Sequence, residues 1–194
     1  MEANVDDRRL TTRQLQLRDE LVELVVAEGF SHLTLDVVAA RLGCSKRTLY
    51  ALAGSKEQLA TAAVRHFFRR ATAQVEASIA RTRLPARRVT AYLEAVAAAL
   101  APAGRAFRAD VAAFGPTREI YEANTVAAAR RVRQLIAEGT AAGAFRDVPA
   151  PFVAEVVTAT MRRITSGELY ESTGLSDAQA YAELARLVVA AVRR

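Results

Sequence analysis

Apolar residues recur every three or four positions along nearly the whole chain, which is the spacing of one face of an α-helix. Leu17, Leu21, Leu24 and Val25 form the first such stripe, and no run alternates between apolar and polar residues as a half-buried strand does. Alanine, the best helix former, is abundant, and glycine and proline fall between the stripes. The pattern predicts an all-α fold.

Capping residues, glycines and prolines divide this pattern into nine predicted helices. Their approximate bounds are 12–28, 35–42, 46–53, 56–81, 85–101, 105–114, 117–142, 149–170 and 177–193. Thr11 or Thr12 caps the first helix, and Ser55 with Gln58 has the spacing of a capping box for the fourth. We expect residues 1–56 to form an N-terminal three-helix domain and residues 57–194 a C-terminal helical bundle.

Composition excludes several classes of protein. The single cysteine, Cys44, rules out an intrachain disulfide framework, and with only two histidines a zinc site is not expected. No run of about 18 uncharged apolar residues predicts a membrane helix, and the polar, acidic N-terminus does not resemble a secretory signal. These features predict a cytoplasmic protein without metal or cofactor.

Positive charge is unevenly placed along the chain. The whole sequence has 27 Lys and Arg against 21 Asp and Glu, yet residues 1–57 hold eight basic and nine acidic residues. The excess therefore lies in residues 58–194, where solvated arginines on helix surfaces are the simplest explanation. Residues 41–56 differ because they contain Arg41, Lys46, Arg47 and Lys56 and no acid.

The same region has the spacing of a helix-turn-helix, with a short helix from Leu35, a turn containing Gly43 and a second short helix after Ser45. In such a unit the second helix enters the major groove of DNA with its N-terminal side chains near the bases. A helix N-terminus favours anions, so the cations Lys46 and Arg47 at this position indicate an external partner. Lys56 begins the fourth helix, where free backbone N–H groups add to a phosphate site.

The run TLDVVAARLGCSKRTLY at residues 34–50, followed by GSKEQL at 54–59, closely resembles the DNA-binding signature of the TetR family of bacterial transcriptional regulators. The resemblance covers about residues 12–62, and the length and nine-helix layout are also similar to that family. The chain departs from the signature at Leu52 and Ala53, where the family commonly has a His or an aromatic residue followed by a Phe, and at Cys44, where an aliphatic residue is usual.

The resemblance implies a homodimer that binds a palindromic double-stranded DNA operator and is released by a small-molecule effector, most often as a repressor. Matched position by position, it places Lys46, Arg47 and Thr48 near bases and assigns phosphate contacts to a second set. That second set is Thr34, Ser45, Tyr50 and Lys56.

Large aromatic residues among many alanines are core residues in most bundles, but they can also wall a cavity between helices. The resemblance favours a cavity, and the predicted lining is Tyr92, Phe107, Phe114, Tyr121, Asn124 and Met161.

The last two predicted helices have broad apolar faces, which either cover the bundle core or pair with a second copy across a two-fold axis. On the second reading, the predicted dimer residues are Val157, Met161, Ile164, Leu184, Leu187, Val188 and Val192.

Two other functional classes compete with a regulator. An enzyme or lipid-binding bundle lacks support, because no nucleophile–base set, paired-carboxylate pattern or Gly-rich phosphate loop is evident. A non-specific architectural DNA binder needs many phosphate contacts, which the slightly acidic balance of residues 1–57 disfavours. The sequence therefore predicts a DNA-binding regulator rather than an enzyme.

Overall fold

The structure is a computed structural model that describes residues 11–194, and these form ten α-helices and no strand. The prediction of an all-α fold is therefore confirmed for the described residues. The helices are α1 (Thr12–Glu28), α2 (Leu35–Arg41), α3 (Lys46–Leu52), α4 (Lys56–Ile79), α5 (Pro85–Leu100), α6 (Arg105–Ala113), α7 (Gly115–Ala141), α8 (Ala150–Ser166), α9 (Glu168–Thr173) and α10 (Asp177–Val192). The predictions for residues 1–10, including the lack of a secretory signal, lie outside the described residues.

The number of helices differs from the prediction of nine, although eight of the predicted helices have both ends within two residues of their predicted positions. The predicted helix 149–170 is interrupted at Gly167, whose φ of +87° is in the left-handed region. This glycine ends α8 and begins the short α9. Because a left-handed residue breaks the helical hydrogen-bond ladder, one apolar stripe in the sequence becomes two helices.

Local capping follows the sequence closely. Thr11 rather than Thr12 caps α1, and its side chain and that of Gln14 form a capping box. At α4 the Ser55 hydroxyl accepts the N–H of Gln58 at 3.1 Å, as predicted. The Gln58 side chain, however, accepts the N–H of Gly54 instead of returning to Ser55.

The described residues pack as two compact units. Unit 1 comprises the residues through Phe67 together with Ala103–Ile120, and unit 2 comprises Phe68–Pro102 and Tyr121–Arg194. The predicted division after residue 56 marks the end of the helix-turn-helix motif, whereas the packed unit also includes α6.

Unit 1 is built around α1, which packs against α6. Its core combines aliphatic residues of α1 with residues from each of the other helices of the unit. The buried set includes Leu17, Leu21, Val22, Val25, Val38, Leu49, Leu59, Val64, Phe107 and Val111. Because α3 contributes only Leu49 to this core, its exposed side chains, Lys46, Arg47, Tyr50 and Ala51, are available to solvent or a partner.

Unit 2 is a helical bundle in which α10 packs against both α5 and α8. Its core residues include Leu93, Val96, Ile136, Phe145, Val157, Ile164, Tyr181, Leu184, Val188 and Val192. Most of the apolar surface of α8 and α10 is therefore used inside the chain itself.

Candidate nucleic-acid interface and ligand cavity

The helix-turn-helix of unit 1 is set by two capping side chains. The Thr34 hydroxyl accepts the N–H of Val37 at 3.3 Å, and the Ser45 hydroxyl accepts the N–H of Thr48 at 3.1 Å. Each cap satisfies a backbone donor that the first turn leaves open. Leu49, with 1% of its surface exposed, anchors α3 to the core. The caps and this anchor together fix which face of α3 is presented outward.

The outward face of α3 carries the residues of that helix predicted to contact DNA. Lys46, Arg47 and Tyr50 are exposed, and Thr48 is half-buried, with its hydroxyl 2.9 Å from that of Ser45. Tyr50 exposes 52% of its surface, so its ring and hydroxyl are accessible from solvent. This face combines two cations, a hydroxyl and an aromatic ring, which are groups that recognise phosphates and base edges.

Residues 41–56 contain no acid, but two of their cations form ion pairs with acidic residues elsewhere in the chain. Lys46 Nζ lies 2.8 Å from Oδ1 of Asp36 in α2, and this hydrogen-bonded carboxylate raises the pKa of the lysine. Arg41 donates to both carboxylate oxygens of Glu28 at 2.5 and 2.8 Å. Asp36 therefore gives Lys46 a partner within the chain, so this cation at the start of α3 is weaker evidence for an external partner than the sequence indicated.

Lys56 is also engaged, because its Nζ donates to the Ser31 carbonyl oxygen at 2.7 Å. Arg47 is the exception among the four cations. Within the part of the chain that the structure describes, its guanidinium has no hydrogen bond or ion pair. Of the predicted DNA-binding residues, Arg47 is thus the cation most available to a phosphate or a base.

The loop between α1 and α2 is held by a residue that sequence reasoning missed. Asp110 Oδ2 in α6 accepts the backbone N–H groups of Phe30 at 2.6 Å and Ser31 at 2.8 Å. Partial burial raises the pKa of this carboxyl, but the hydrogen bonds from Ser31 and Phe30 outweigh it and lower the pKa overall. Gly29 leaves room for the contact, since a Cβ there would lie 2.6 Å from Asp110 Oδ2.

Cys44 is half-buried in the turn before α3. Desolvation is the largest influence on its thiol and raises its pKa. A raised pKa reduces the thiolate fraction, so the structure favours a packing role over a reactive one.

Unit 2 contains a cavity of 340 Å³ between α4, α5, α7, α8 and α10. Four of the six predicted lining residues, Tyr92, Tyr121, Asn124 and Met161, are on its walls. Tyr92 lies on α5, Tyr121 and Asn124 on α7, and Met161 on α8, so three helices bring these side chains to one cavity. The Tyr92 hydroxyl donates to the Ala128 carbonyl oxygen at 3.4 Å, and burial raises the pKa of Tyr92.

The other two predicted lining residues, Phe107 and Phe114, are not on the walls of this cavity. Both belong to unit 1, where Phe107 packs edge-on against Phe67 at 5.4 Å between ring centroids. Phe114 packs edge-on against Phe30 at 6.2 Å. Phe107 is a buried core residue of unit 1, whereas Phe114 is half-buried. The spacing of these rings in the sequence did not indicate that they belong to unit 1.

Sequence reasoning missed the charged part of the cavity wall, which consists of Glu76, Arg130, Arg131 and Arg162. Arg131 binds Glu76 through Nε at 2.8 Å and Nη2 at 2.9 Å, and its Nη1 lies 3.8 Å from Glu138. Glu76 and Glu138 therefore balance the positive charge of Arg131. Arg130 and Arg162 have no ion pair or hydrogen bond among the described residues.

The predicted dimer residues are mostly buried within the chain. Val157, Met161, Ile164, Leu184, Val188 and Val192 expose at most 8% of their surface, whereas Leu187 exposes 68%. The six buried side chains pack in the core of unit 2 and have no surface to offer a second copy. The exposed large apolar residues of α8 and α10 are instead Phe152, Val156 and Leu187.

Residues 17–63 match the family model of bacterial regulatory proteins of the tetR family. Among solved structures, a putative transcriptional regulator from Saccharomonospora viridis in complex with choline has a TM-score of 0.80 at 17% identity, over 93% of this chain and 97% of that one. A TetR regulator from Chloroflexus aurantiacus has a TM-score of 0.74 at 22% identity, over 94% of this chain and 99% of that one. No curated protein matches the chain. Structural likeness at these identities establishes the fold.

Within residues 11–194, no helix is both long and apolar enough to cross a membrane. The same residues contain no group of three or more His, Cys, Asp or Glu side chains placed to hold a metal ion.

Proposed function

Because the chain belongs to the TetR family of bacterial transcriptional regulators, we propose that it is a homodimeric repressor which binds a palindromic operator and leaves it when a small molecule enters the cavity of unit 2. The exposed face of α3 is the observation that carries this proposal, since it presents Arg47 without a partner among the described residues. The fold and the family match support DNA binding; the repressor role, the dimer and the ligand response are part of the proposal.

Two sets of residues have different roles in this proposal. Lys46, Arg47 and Thr48 lie on the outward side of the first turns of α3 and contact base edges, where an arginine can bind guanine through two hydrogen bonds. The other four predicted residues contact phosphates and fix the register on DNA. These are Thr34, Ser45, Tyr50 and Lys56.

The dimer forms through the exposed faces of α8 and α10, which pack against each other in unit 2. Phe152 and Leu187 each expose 68% of their surface, and Val156 exposes 46%. Exposed apolar side chains of this size, gathered on two contacting helices, support a self-complementary interface. This face replaces the buried residues that the sequence suggested.

Ligand release works through the spacing of the two recognition helices in the dimer. Operator binding needs these helices about one turn of DNA apart, roughly 34–36 Å. A ligand that binds better to a dimer with another spacing lowers operator affinity by shifting the population of the two states.

The choline bound by the Saccharomonospora viridis regulator is one effector to consider for this chain. A cationic ligand would face Arg130 and Arg162, while Glu76 is already bound by Arg131. The charges on the wall therefore do not favour choline here.

A salt titration of DNA binding tests the proposed function. The full chain is mixed with DNA from its own promoter region, with selected palindromes and with random DNA, and the affinity for each is measured from about 50 to 200 mM salt. We expect a preference for one palindrome that Arg47→Ala removes and Arg133→Ala retains, because Arg133 is an exposed arginine of α7 far from α3 in sequence. Equal affinity for every duplex would instead identify a non-specific architectural binder and contradict the proposal.

A further inference from the structure

The interior of the cavity in unit 2 is mostly apolar. Phe68 and Val75 line it from α4, Val96 and Leu100 from α5, and Met161 from α8. Val75, Val96 and Met161 each expose 8% of their surface or less. Such a wall binds the apolar body of a ligand through burial of its surface.

Some charged residues on the cavity wall form ion pairs and others do not. Glu76 is the one acidic residue on the wall, and Arg131 holds both of its carboxylate oxygens. Arg130 on α7 and Arg162 on α8 have no ion pair or hydrogen bond among the described residues, and both are exposed. The uncompensated charge of the cavity is therefore positive and lies where the wall meets solvent.

An exposed arginine on a helix is usually solvated and needs no partner. Here, however, two arginines from different helices border one apolar cavity, and the acid on the same wall is already occupied. A guanidinium recognises a carboxylate through two parallel hydrogen bonds, which are stronger than bonds between neutral groups.

We propose that the cavity binds an amphipathic carboxylate, with its apolar body among Phe68, Val96 and Met161 and its carboxylate between Arg130 and Arg162. This assignment rests on the proposed function, because it names the class of effector for the same cavity. A ligand with a cationic head is excluded from this arrangement by the two unpaired arginines.

Isothermal titration calorimetry of the full chain tests the assignment with three probes that share one apolar body: octanoate, octyltrimethylammonium and 1-octanol. We expect octanoate to bind about tenfold or more tightly than either of the others. The Arg130→Gln, Arg162→Gln double variant is expected to lose that preference. Arg133→Gln removes the same charge from an exposed α7 residue that does not line the cavity, and is expected to bind octanoate as the unaltered chain does.

Glu76→Gln provides a test in the opposite direction. Removing this carboxylate frees Arg131 to bind the ligand, so octanoate affinity is expected to rise several-fold. Absence of octanoate binding, equal or tighter binding of octyltrimethylammonium, or an unchanged preference in the Arg130→Gln, Arg162→Gln variant would each overturn the assignment.

DNA binding of the ligand-free chain is measured in parallel, so the two proposals fail separately. If the chain prefers octanoate but no palindrome, the proposed function fails and the carboxylate site stands. If it prefers a palindrome but not octanoate, the carboxylate assignment alone fails.

Discussion

Lys46 Nζ lies 2.8 Å from Oδ1 of Asp36, so the first turn of α3 is ion-paired to the first turn of α2. The two side chains expose 52% and 74% of their surface. An exposed ion pair of this kind is weak, because water and salt screen it. A base-edge acceptor of DNA that approaches α3, as proposed for Lys46, can therefore replace Asp36 as the partner of this lysine.

The Asp36→Asn variant tests this competition. It removes the carboxylate that holds Lys46 and also an exposed negative charge next to the proposed DNA-contacting residues of α3, so affinity for every duplex is expected to rise by roughly twofold to fivefold. Fluorescence anisotropy with operator and random DNA measures the change. Glu23→Gln makes the same charge change on an exposed residue of α1 and is expected to have little effect. Equal increases in both variants would indicate net charge rather than competition for Lys46.

A second prediction separates base contacts from phosphate contacts. Thr48→Ala removes a hydroxyl and a methyl group from the outward part of α3, so it is expected to relax the preference among operator variants. Lys56→Ala removes a proposed phosphate contact and is expected to weaken binding to all sequences about equally, with a salt slope reduced by about one. Competition binding against a set of single-base operator variants distinguishes these outcomes. A uniform loss in both variants would contradict the division of roles.

The local parts of this structure could be predicted from the sequence. Thr11 and Ser55 cap α1 and α4 as expected, because a cap depends on a side chain and an N–H group three residues later. The position of Lys46 was also predictable, but its pairing with Asp36 was not, since it depends on how α2 and α3 pack.

Long-range relationships were beyond sequence patterns. Asp110 and Ser31 are 79 residues apart, and no local motif connects them. The apolar stripes of α8 and α10 correctly predicted that these helices have a buried face. Except for Leu187, the residues predicted for the dimer interface are buried in the core of unit 2 instead. The same pattern serves both purposes, because hydrophobic periodicity shows that a face is covered without showing by what.

The contact between Asp110 and Ser31 makes a prediction about stability. Asp110→Ala leaves the N–H groups of Phe30 and Ser31 without their acceptor, which is expected to lower the free energy of unfolding by about 1–3 kcal/mol at neutral pH. Urea denaturation followed by circular dichroism measures the difference. Glu119→Ala, which removes an exposed carboxylate in the same unit, is expected to change stability much less.

The same comparison has a defined pH dependence. The folded state lowers the pKa of Asp110 below its ordinary value of 3.8, so its stabilising effect is fully present above that pH. The effect is lost as the pH falls through the lower pKa of the folded state. The stability difference between the unaltered chain and Asp110→Ala is therefore expected to be constant from pH 7 to about 5 and to shrink below about 4. A difference that grows on acidification would show that Asp110 is not stabilised as a carboxylate.

The final prediction concerns the dimer. Leu187 exposes 68% of its surface on α10, so Leu187→Glu costs the folded monomer little and places a charge inside the proposed interface. Sedimentation velocity is expected to show a shift from dimer to monomer, with unchanged helicity by circular dichroism. Leu84→Glu is a matched control, because Leu84 is 57% exposed just before α5 and lies outside that interface. If Leu187→Glu stays dimeric like the control, the face formed by Phe152, Val156 and Leu187 is not the dimer interface. If both variants dissociate, the added charge acts generally and gives no support to this face.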